Sequence, residues 1–124
     1  MTHLDHDRRR RIIWLMILVA ASLAVMATLH LTGTITDDGK SFDRAGIPEA
    51  LIGLALLAGA WSLARGRRSI PIASLVFAIA GFLLGLTFTI PGGKPIEIAY
   101  HVTVLPLLVG TLLLLLAPSR VQVH

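Results

Sequence analysis

Four long apolar segments dominate this chain, and their length restricts the fold more than any other feature. They comprise residues 12–31, 47–64, 70–90 and 96–117. A membrane-spanning helix needs about 20 apolar residues, because each residue advances about 1.5 Å through about 30 Å of hydrocarbon. The segments fill most of the 124 residues, and the mean hydropathy is +0.79. The sequence therefore predicts an all-α integral membrane protein with one transmembrane domain over residues 1–124.

The connections between the segments are mostly short. Residues 65–69 form an inner loop, residues 91–95 form an outer turn with two prolines and two glycines, and residues 32–46 form a longer outer loop. The outer loop contains Asp37-Asp38-Gly39, a sequence typical of turns. Short connections place consecutive helices side by side and antiparallel. We therefore predict an antiparallel four-helix bundle with up-down-up-down topology.

Basic residues concentrate at one end of the predicted bundle. If the N-terminus is cytoplasmic, the inner side carries Arg8, Arg9, Arg10, Arg11, Arg65, Arg67, Arg68 and Arg120, and the outer side carries Lys40, Arg44 and Lys94. This bias agrees with the positive-inside rule, so both termini are expected in the cytoplasm. The abundance of Ala, Leu and Arg is compatible with a GC-rich bacterial gene, which favours the plasma (inner) membrane.

The inner arginines also indicate what the chain contacts at the membrane surface. Trp14 and Trp61 lie three or four residues from arginines, at the level where an indole ring prefers to lie. We predict that these arginines and tryptophans anchor the bundle and contact anionic lipid headgroups. In a soluble protein, a pI near 10.7 would suggest nucleic-acid binding. Here the basic tract lacks interleaved aromatic residues and a soluble scaffold, so no nucleic-acid partner is expected.

The first apolar segment has the outline of a secretory signal peptide, because arginines precede it. Its length of about 20 residues exceeds the roughly 7 to 15 of a signal peptide's apolar region, so we expect an uncleaved helix. The chain contains no cysteine, which excludes disulfides, thiolate metal sites and cysteine nucleophiles.

Four ionisable side chains fall at one level near the predicted outer ends of the helices. They are His30, Glu49, Glu97 and His101. Glu97 and His101 are four residues apart and should share a helix face, so the carboxylate could orient the imidazole. Two imidazoles and two carboxylates would also suit iron, manganese or zinc. These residues are the candidate ligand-binding site, and the candidate metal ligands if a metal is bound.

A structural interpretation of the same residues remains open. Pro48-Glu49 and Pro95-Ile96-Glu97 are typical helix starts, where a carboxylate offsets the positive end of the helix dipole by about 0.3 to 1 kcal/mol. Histidines near the membrane boundary often contact headgroups or backbone carbonyls. The polar layer is therefore either a shared site or a set of helix-terminal residues.

Small residues predict where the helices contact each other, because helices in lipid associate by close packing. The candidates are Ala20 and Ala24 on the first helix, Ala55 and Gly59 on the second, and Gly81 and Gly85 on the third. Gly81-x-x-x-Gly85 fits packing within the bundle and also fits a homodimer face.

No motif for nucleophilic or phosphoryl-transfer catalysis is present, so we predict no catalytic residue and no required cofactor. The leading hypothesis is a non-enzymatic accessory or structural subunit that packs against other membrane subunits or a second copy. The alternative is a small transporter or a ligand- or metal-binding bundle with an outward-facing polar site. A third is a haem- or quinone-associated redox subunit in which His30 and His101 hold haem.

Overall fold

The computed structural model describes residues 5–34, 46–92 and 95–118, and these ranges are almost entirely helical. The helices are α1 (His6–Leu31), α2 (Gly46–Ala64), α3 (Ser69–Gly92) and α4 (Pro95–Leu116). All four are long and apolar enough to cross a membrane. This confirms the prediction of an all-α fold with four helices that could each span a membrane. The predicted turn at residues 37–39 lies outside the described residues, as do Arg120, Lys40, Arg44 and Lys94.

Two helix boundaries differ from those predicted by hydropathy. Helix α1 begins at His6, six residues before the apolar segment, because Arg8 to Arg11 continue the helix. Arginine is a good helix former, and Asp5 precedes the first turn as its cap. Helix α3 extends through Pro91 to Gly92, so the turn before α4 is shorter than the predicted 91–95.

Helix α2 ends in a glycine turn that reverses the chain into α3. Gly66 has φ of +81°, a backbone conformation that favours glycine. Its N–H donates to the Leu63 carbonyl, and the Arg67 N–H donates to the Ser62 carbonyl at 3.0 Å. This pattern is the Schellman motif, which satisfies carbonyls at the end of a helix. The five-residue inner loop predicted at 65–69 therefore becomes a capped turn followed directly by α3.

The four helices form a closed ring. Each helix packs against its neighbours in the chain, and α4 packs against α1. Arg8 Nη1 donates to the Ala117 carbonyl at 3.0 Å, and Arg68 donates to the Leu115 carbonyl. The starts of α1 and α3 therefore lie beside the end of α4. We call this end of the bundle the arginine end.

The interior of the ring is apolar over most of its length. Its fully buried side chains include Ile12, Met16 and Leu23 of α1, Leu56 and Leu63 of α2, Leu75 and Ala78 of α3, and Leu108 and Leu115 of α4. Many large apolar side chains instead point outwards, as expected where lipid is the solvent. The core therefore holds the helices together mainly by apolar packing, with the buried hydroxyls of Ser62, Ser74 and Thr111 among these side chains.

Small residues lie at several of the helix contacts. A Cβ added at Gly59 would collide with Ser74 of α3 and lie 2.7 Å from Met16 Cε of α1. Gly81 faces Ile52 of α2, and Gly85 faces His101 of α4. Among the alanines, Ala20 is buried, Ala55 is half-buried and Ala24 is exposed. Ala24 does not pack inside the bundle, in contrast to the prediction for this residue. The buried face of α1 passes through Leu23 and Ala27, so Ala24 points outwards.

Candidate functional site

His30 is a buried ionisable side chain at the end of α1, and its burial follows from its place in the helix. Leu23, Ala27 and His30 are all buried and are spaced four and three residues apart, so they lie on the core face of α1. Only 1% of the His30 surface is exposed. A polar group with so little contact with water needs hydrogen-bond partners within the protein.

Two glutamates from two other helices supply these partners. Glu49 lies in the first turn of α2, and its Oε2 is 2.8 Å from His30 Nδ1. Glu97 lies in the first turn of α4, and its Oε1 is 3.0 Å from His30 Nε2. The Glu97 side chain is 9% exposed and that of Glu49 is 13% exposed. We call Glu49, His30 and Glu97 the Glu–His–Glu triad, and the end of the bundle that holds it the triad end.

The two hydrogen bonds of the triad require two protons. An imidazolium can donate one from each ring nitrogen to two carboxylates. Alternatively, a neutral imidazole donates one proton and accepts the other from a protonated glutamate. Both arrangements leave one net negative charge, so they differ in where one proton lies and not in how many are bound. The triad is therefore a site that can hold and shift a proton inside the protein.

The triad also joins helices that are distant in sequence. His30 is 19 residues from Glu49 and 67 from Glu97. The bond to Glu97 links α1 to α4, the two helices at the ends of the chain. Breaking such a buried pair by removing one partner is strongly destabilising, so the triad ties α1, α2 and α4 to one arrangement.

His101 does not share the Glu97 carboxylate, in contrast to the prediction from their spacing. The Nδ1 of His101 lies 2.7 Å from the backbone oxygen of Glu97 and donates to it. Side chains on a helix lean towards its N-terminus, so the Glu97 carboxylate reaches away from His101 and across to α1. The structure thus brings together three of the four candidate residues and gives the fourth a separate environment.

His101 belongs to an aromatic cluster between α3 and α4. Its ring centroid is 5.1 Å from that of Phe82 and 6.0 Å from that of Tyr100. A Cβ at Gly85 would lie 2.6 Å from His101 Nε2. Gly85 therefore allows the imidazole to pack directly on the backbone of α3.

A second polar contact joins α1 to α4 through Ser22 and Tyr100, and it was not predicted from the sequence. The Tyr100 hydroxyl lies 2.8 Å from Ser22 Oγ, and Ser22 Oγ donates to the Val19 carbonyl at 2.7 Å. The Tyr100 hydroxyl is therefore the donor in this pair. The signal in the sequence was Ser22, a hydroxyl in the middle of an apolar segment, but its partner is 78 residues away.

The candidate metal and haem ligands can be tested against this geometry. Over residues 5–34, 46–92 and 95–118, no three histidines or carboxylates are arranged to hold a metal ion. Both nitrogens of His30 contact carboxylates, and Nε2 of His101 faces Gly85. In this arrangement the two imidazoles do not fit axial ligation of haem between them, which needs a ring nitrogen directed at the iron.

The predicted membrane anchors at the arginine end fall into different environments. Arg8 and Arg68 bond to carbonyls at the end of α4. The Arg65 guanidinium lies over the Trp61 ring, 4.9 Å from its centroid, in a cation–π contact. Arg9 is half-buried, whereas Arg10, Arg11, Arg67 and Trp14 are exposed.

No protein-family model, curated protein or solved structure matches this chain.

Proposed function

We propose that this chain is a non-enzymatic, four-span membrane protein that serves as an accessory or structural subunit of a membrane complex. The observation that carries the proposal is the engagement of both His30 ring nitrogens by carboxylates of the same chain. A catalytic site directs its acid or base at a substrate, within about 2.6 to 3.2 Å of the proton it moves. The triad directs these groups at each other, which supports a role in fastening α1, α2 and α4 together.

The proposed topology is an antiparallel up-down-up-down bundle with both termini in the cytoplasm of a bacterium. It is supported by the arginines at one end of the bundle and by the contacts of Arg8 and Arg68 with the end of α4. The chain has no cysteine, so single introduced cysteines report orientation directly. A cysteine in residues 35–45 should react with an impermeant maleimide outside intact cells, and Arg67→Cys only after permeabilisation. The reverse pattern would contradict the topology.

The proposed docking side for a partner is the surface of α3 and α4. Of the residues in the most apolar stretch of each helix, 28% are buried within the chain in α3 and 22% in α4. The corresponding share is 39% in both α1 and α2. Lipid can cover this surface, but helices of another subunit would cover it with closer packing. The uneven burial therefore supports a partner on the α3–α4 side, either another membrane subunit or a second copy.

Purification in a mild detergent tests the subunit proposal. The tagged chain should co-purify with a stoichiometric membrane partner or as a defined homo-oligomer. The double variant Leu84→Ala/Leu113→Ala, which truncates exposed side chains of α3 and α4, should reduce recovery of the partner. Val25→Ala on the exposed side of α1 is the matched control and should not. A monomer without a partner, or equal recovery with all variants, would overturn the proposal.

A second candidate function is a small transporter or ligand-binding bundle that opens at the triad end. The triad favours it, because ionisable groups within a membrane-spanning bundle commonly mark ion or proton sites. Glu97→Gln alters the triad, whereas His101→Ala alters only the neighbouring aromatic cluster. In liposomes with an imposed pH gradient, the wild type and His101→Ala should then move protons, and Glu97→Gln should not. No proton movement by the wild type, or equal movement by both variants, would rule the candidate out.

A further inference from the structure

We propose that a groove between α1 and α4 at the arginine end binds one anionic glycerophospholipid. The groove is open to the surroundings of the protein and has a volume of about 700 Å³. Its lining comes from about three turns of α1 and from one leucine near the end of α4: Asp7, Arg10, Arg11, Trp14, Leu15, Leu18 and Leu114. This inference concerns lipid and does not depend on the proposed partner subunit.

The polar mouth of the groove has the chemistry of a phosphodiester site. Arg10 and Arg11 are consecutive and exposed, and a guanidinium presents paired N–H donors that match phosphate oxygens. Asp7 lies one turn earlier and supplies one opposing charge. The three side chains together keep one net positive charge, which favours an anionic headgroup over a zwitterionic one.

The remaining lining follows the order of chemical groups along a phospholipid. Arg10, Trp14 and Leu18 are four residues apart, so they form one stripe along α1, and Asp7, Arg11 and Leu15 form the adjacent stripe. From Arg10 to Leu18 the stripe rises about 12 Å. It passes from guanidinium to indole to aliphatic side chain, which matches the sequence of phosphate, glycerol ester and acyl chain. An indole prefers this intermediate level in a membrane.

The apolar part of the groove is open to an acyl chain. Trp14 and Leu18 are each 61% exposed, and Leu114 of α4 is 39% exposed on the opposite wall. Other arginines at this end have different contacts. Arg8 and Arg68 bond to carbonyls of α4, and Arg65 lies over Trp61. Charge complementarity and the order of the lining thus both select a single anionic lipid.

Native mass spectrometry of the detergent-purified full chain tests the proposal. Titration with phosphatidylglycerol should give a one-lipid adduct that persists at collision energies that remove phosphatidylcholine. Arg10→Gln/Arg11→Gln should weaken phosphatidylglycerol binding about 30-fold, which corresponds to about 1 kcal/mol for each arginine. Arg67→Gln is the matched control, because Arg67 is exposed at the same end and does not line the groove. It should bind as the wild type does.

Further outcomes keep the proposal open to refutation. Equal affinity for the two lipids, or a double variant that binds as tightly as Arg67→Gln, would overturn it. If the double variant fails to fold, Asp7→Asn provides the second test. Removal of this opposing charge should strengthen phosphatidylglycerol binding, and unchanged or weaker binding would also overturn the proposal.

Discussion

His30 separates two carboxylates that would otherwise face each other at the triad end. It lies within 2.8 Å of Glu49 and 3.0 Å of Glu97, and it supplies the hydrogen-bond partners of both. The three side chains are therefore unequal in what their loss costs. Loss of either glutamate removes one of these two bonds, whereas loss of the imidazole removes both.

His30→Ala should therefore be the most destabilising single change in the triad. We expect a loss of about 3 to 5 kcal/mol in the free energy of unfolding, as found when one partner of a buried charge pair is removed. Glu97→Gln should cost less, about 1 to 2 kcal/mol, because an amide still bonds to a neutral imidazole. Reversible unfolding in mixed micelles measures both. Thr103→Ala, on the exposed side of α4, is the control. Equal stability of His30→Ala and this control would contradict the assignment.

The Tyr100–Ser22 pair permits a cleaner measurement, because both groups are neutral. Tyr100→Phe and Ser22→Ala each remove one partner of a single hydrogen bond between α4 and α1. A double-mutant cycle should give a coupling energy of about 0.5 to 1.5 kcal/mol. Full additivity of the two substitutions would mean that the bond does not contribute to stability.

Two glycines in the interior of helix α2, Gly53 and Gly59, differ in the space around them. A Cβ at Gly59 would collide with Ser74, whereas a Cβ at Gly53 would lie 3.6 Å from its nearest neighbours, an ordinary contact distance. Gly59→Ala should therefore cost about 1 to 3 kcal/mol through overpacking. Gly53→Ala should be neutral or slightly stabilising, since alanine is the better helix former. Thermal unfolding of both variants checks this. A similar loss from each would show that the difference in space around Gly59 and Gly53 does not set the cost.

The end of α4 depends on arginines from two other segments. The last carbonyls of a helix lack donors within the helix, and Arg8 and Arg68 donate to those of Ala117 and Leu115. Cations also interact favourably with this end of the helix dipole, by about 0.3 to 1 kcal/mol. Arg8→Gln and Arg68→Gln should therefore speed amide hydrogen exchange in the last turn of α4. Arg10→Gln, in the same exposed tract, should leave that exchange unchanged, and a general increase with all three would refute the capping role.

The sequence predicted the helices of the whole molecule better than the contacts between them. Segment length and hydropathy identified four helices, each long and apolar enough to cross a membrane, which imposes a nearly fixed length on any helix that crosses it. The positions of His30, Glu49 and Glu97 near the predicted ends of their segments also placed them at one level in the bundle. These positions could not choose which carboxylate faces which histidine, since that depends on the rotation of each helix about its axis. For the same reason, local spacing suggested a Glu97–His101 pair, and Ala24 was assigned to a packing face.

Because the ring is closed, we expect the chain to assemble even when it is cut between its two hairpins. Co-expressed residues 1–66 and 67–124 should assemble, because α1 contacts α4 and α2 contacts α3 across the cut. Glu97→Ala should weaken recovery of one half by the other, since it removes the buried bond to His30. Ile96→Ala, at a neighbouring exposed position, is the matched control. Halves that never associate, or that associate equally well with Glu97→Ala, would show that the triad does not close the ring.

The position of the triad members along the chain also gives an order to synthesis. His30 and Glu49 emerge from the ribosome with the first hairpin, and Glu97 follows only with the last helix. His30 can bond to Glu49 as soon as the first hairpin has formed. Its bond to Glu97 forms only after α4 has been made. The last helix thus closes the bundle, and a chain truncated before residue 97 would lack the second carboxylate partner of His30.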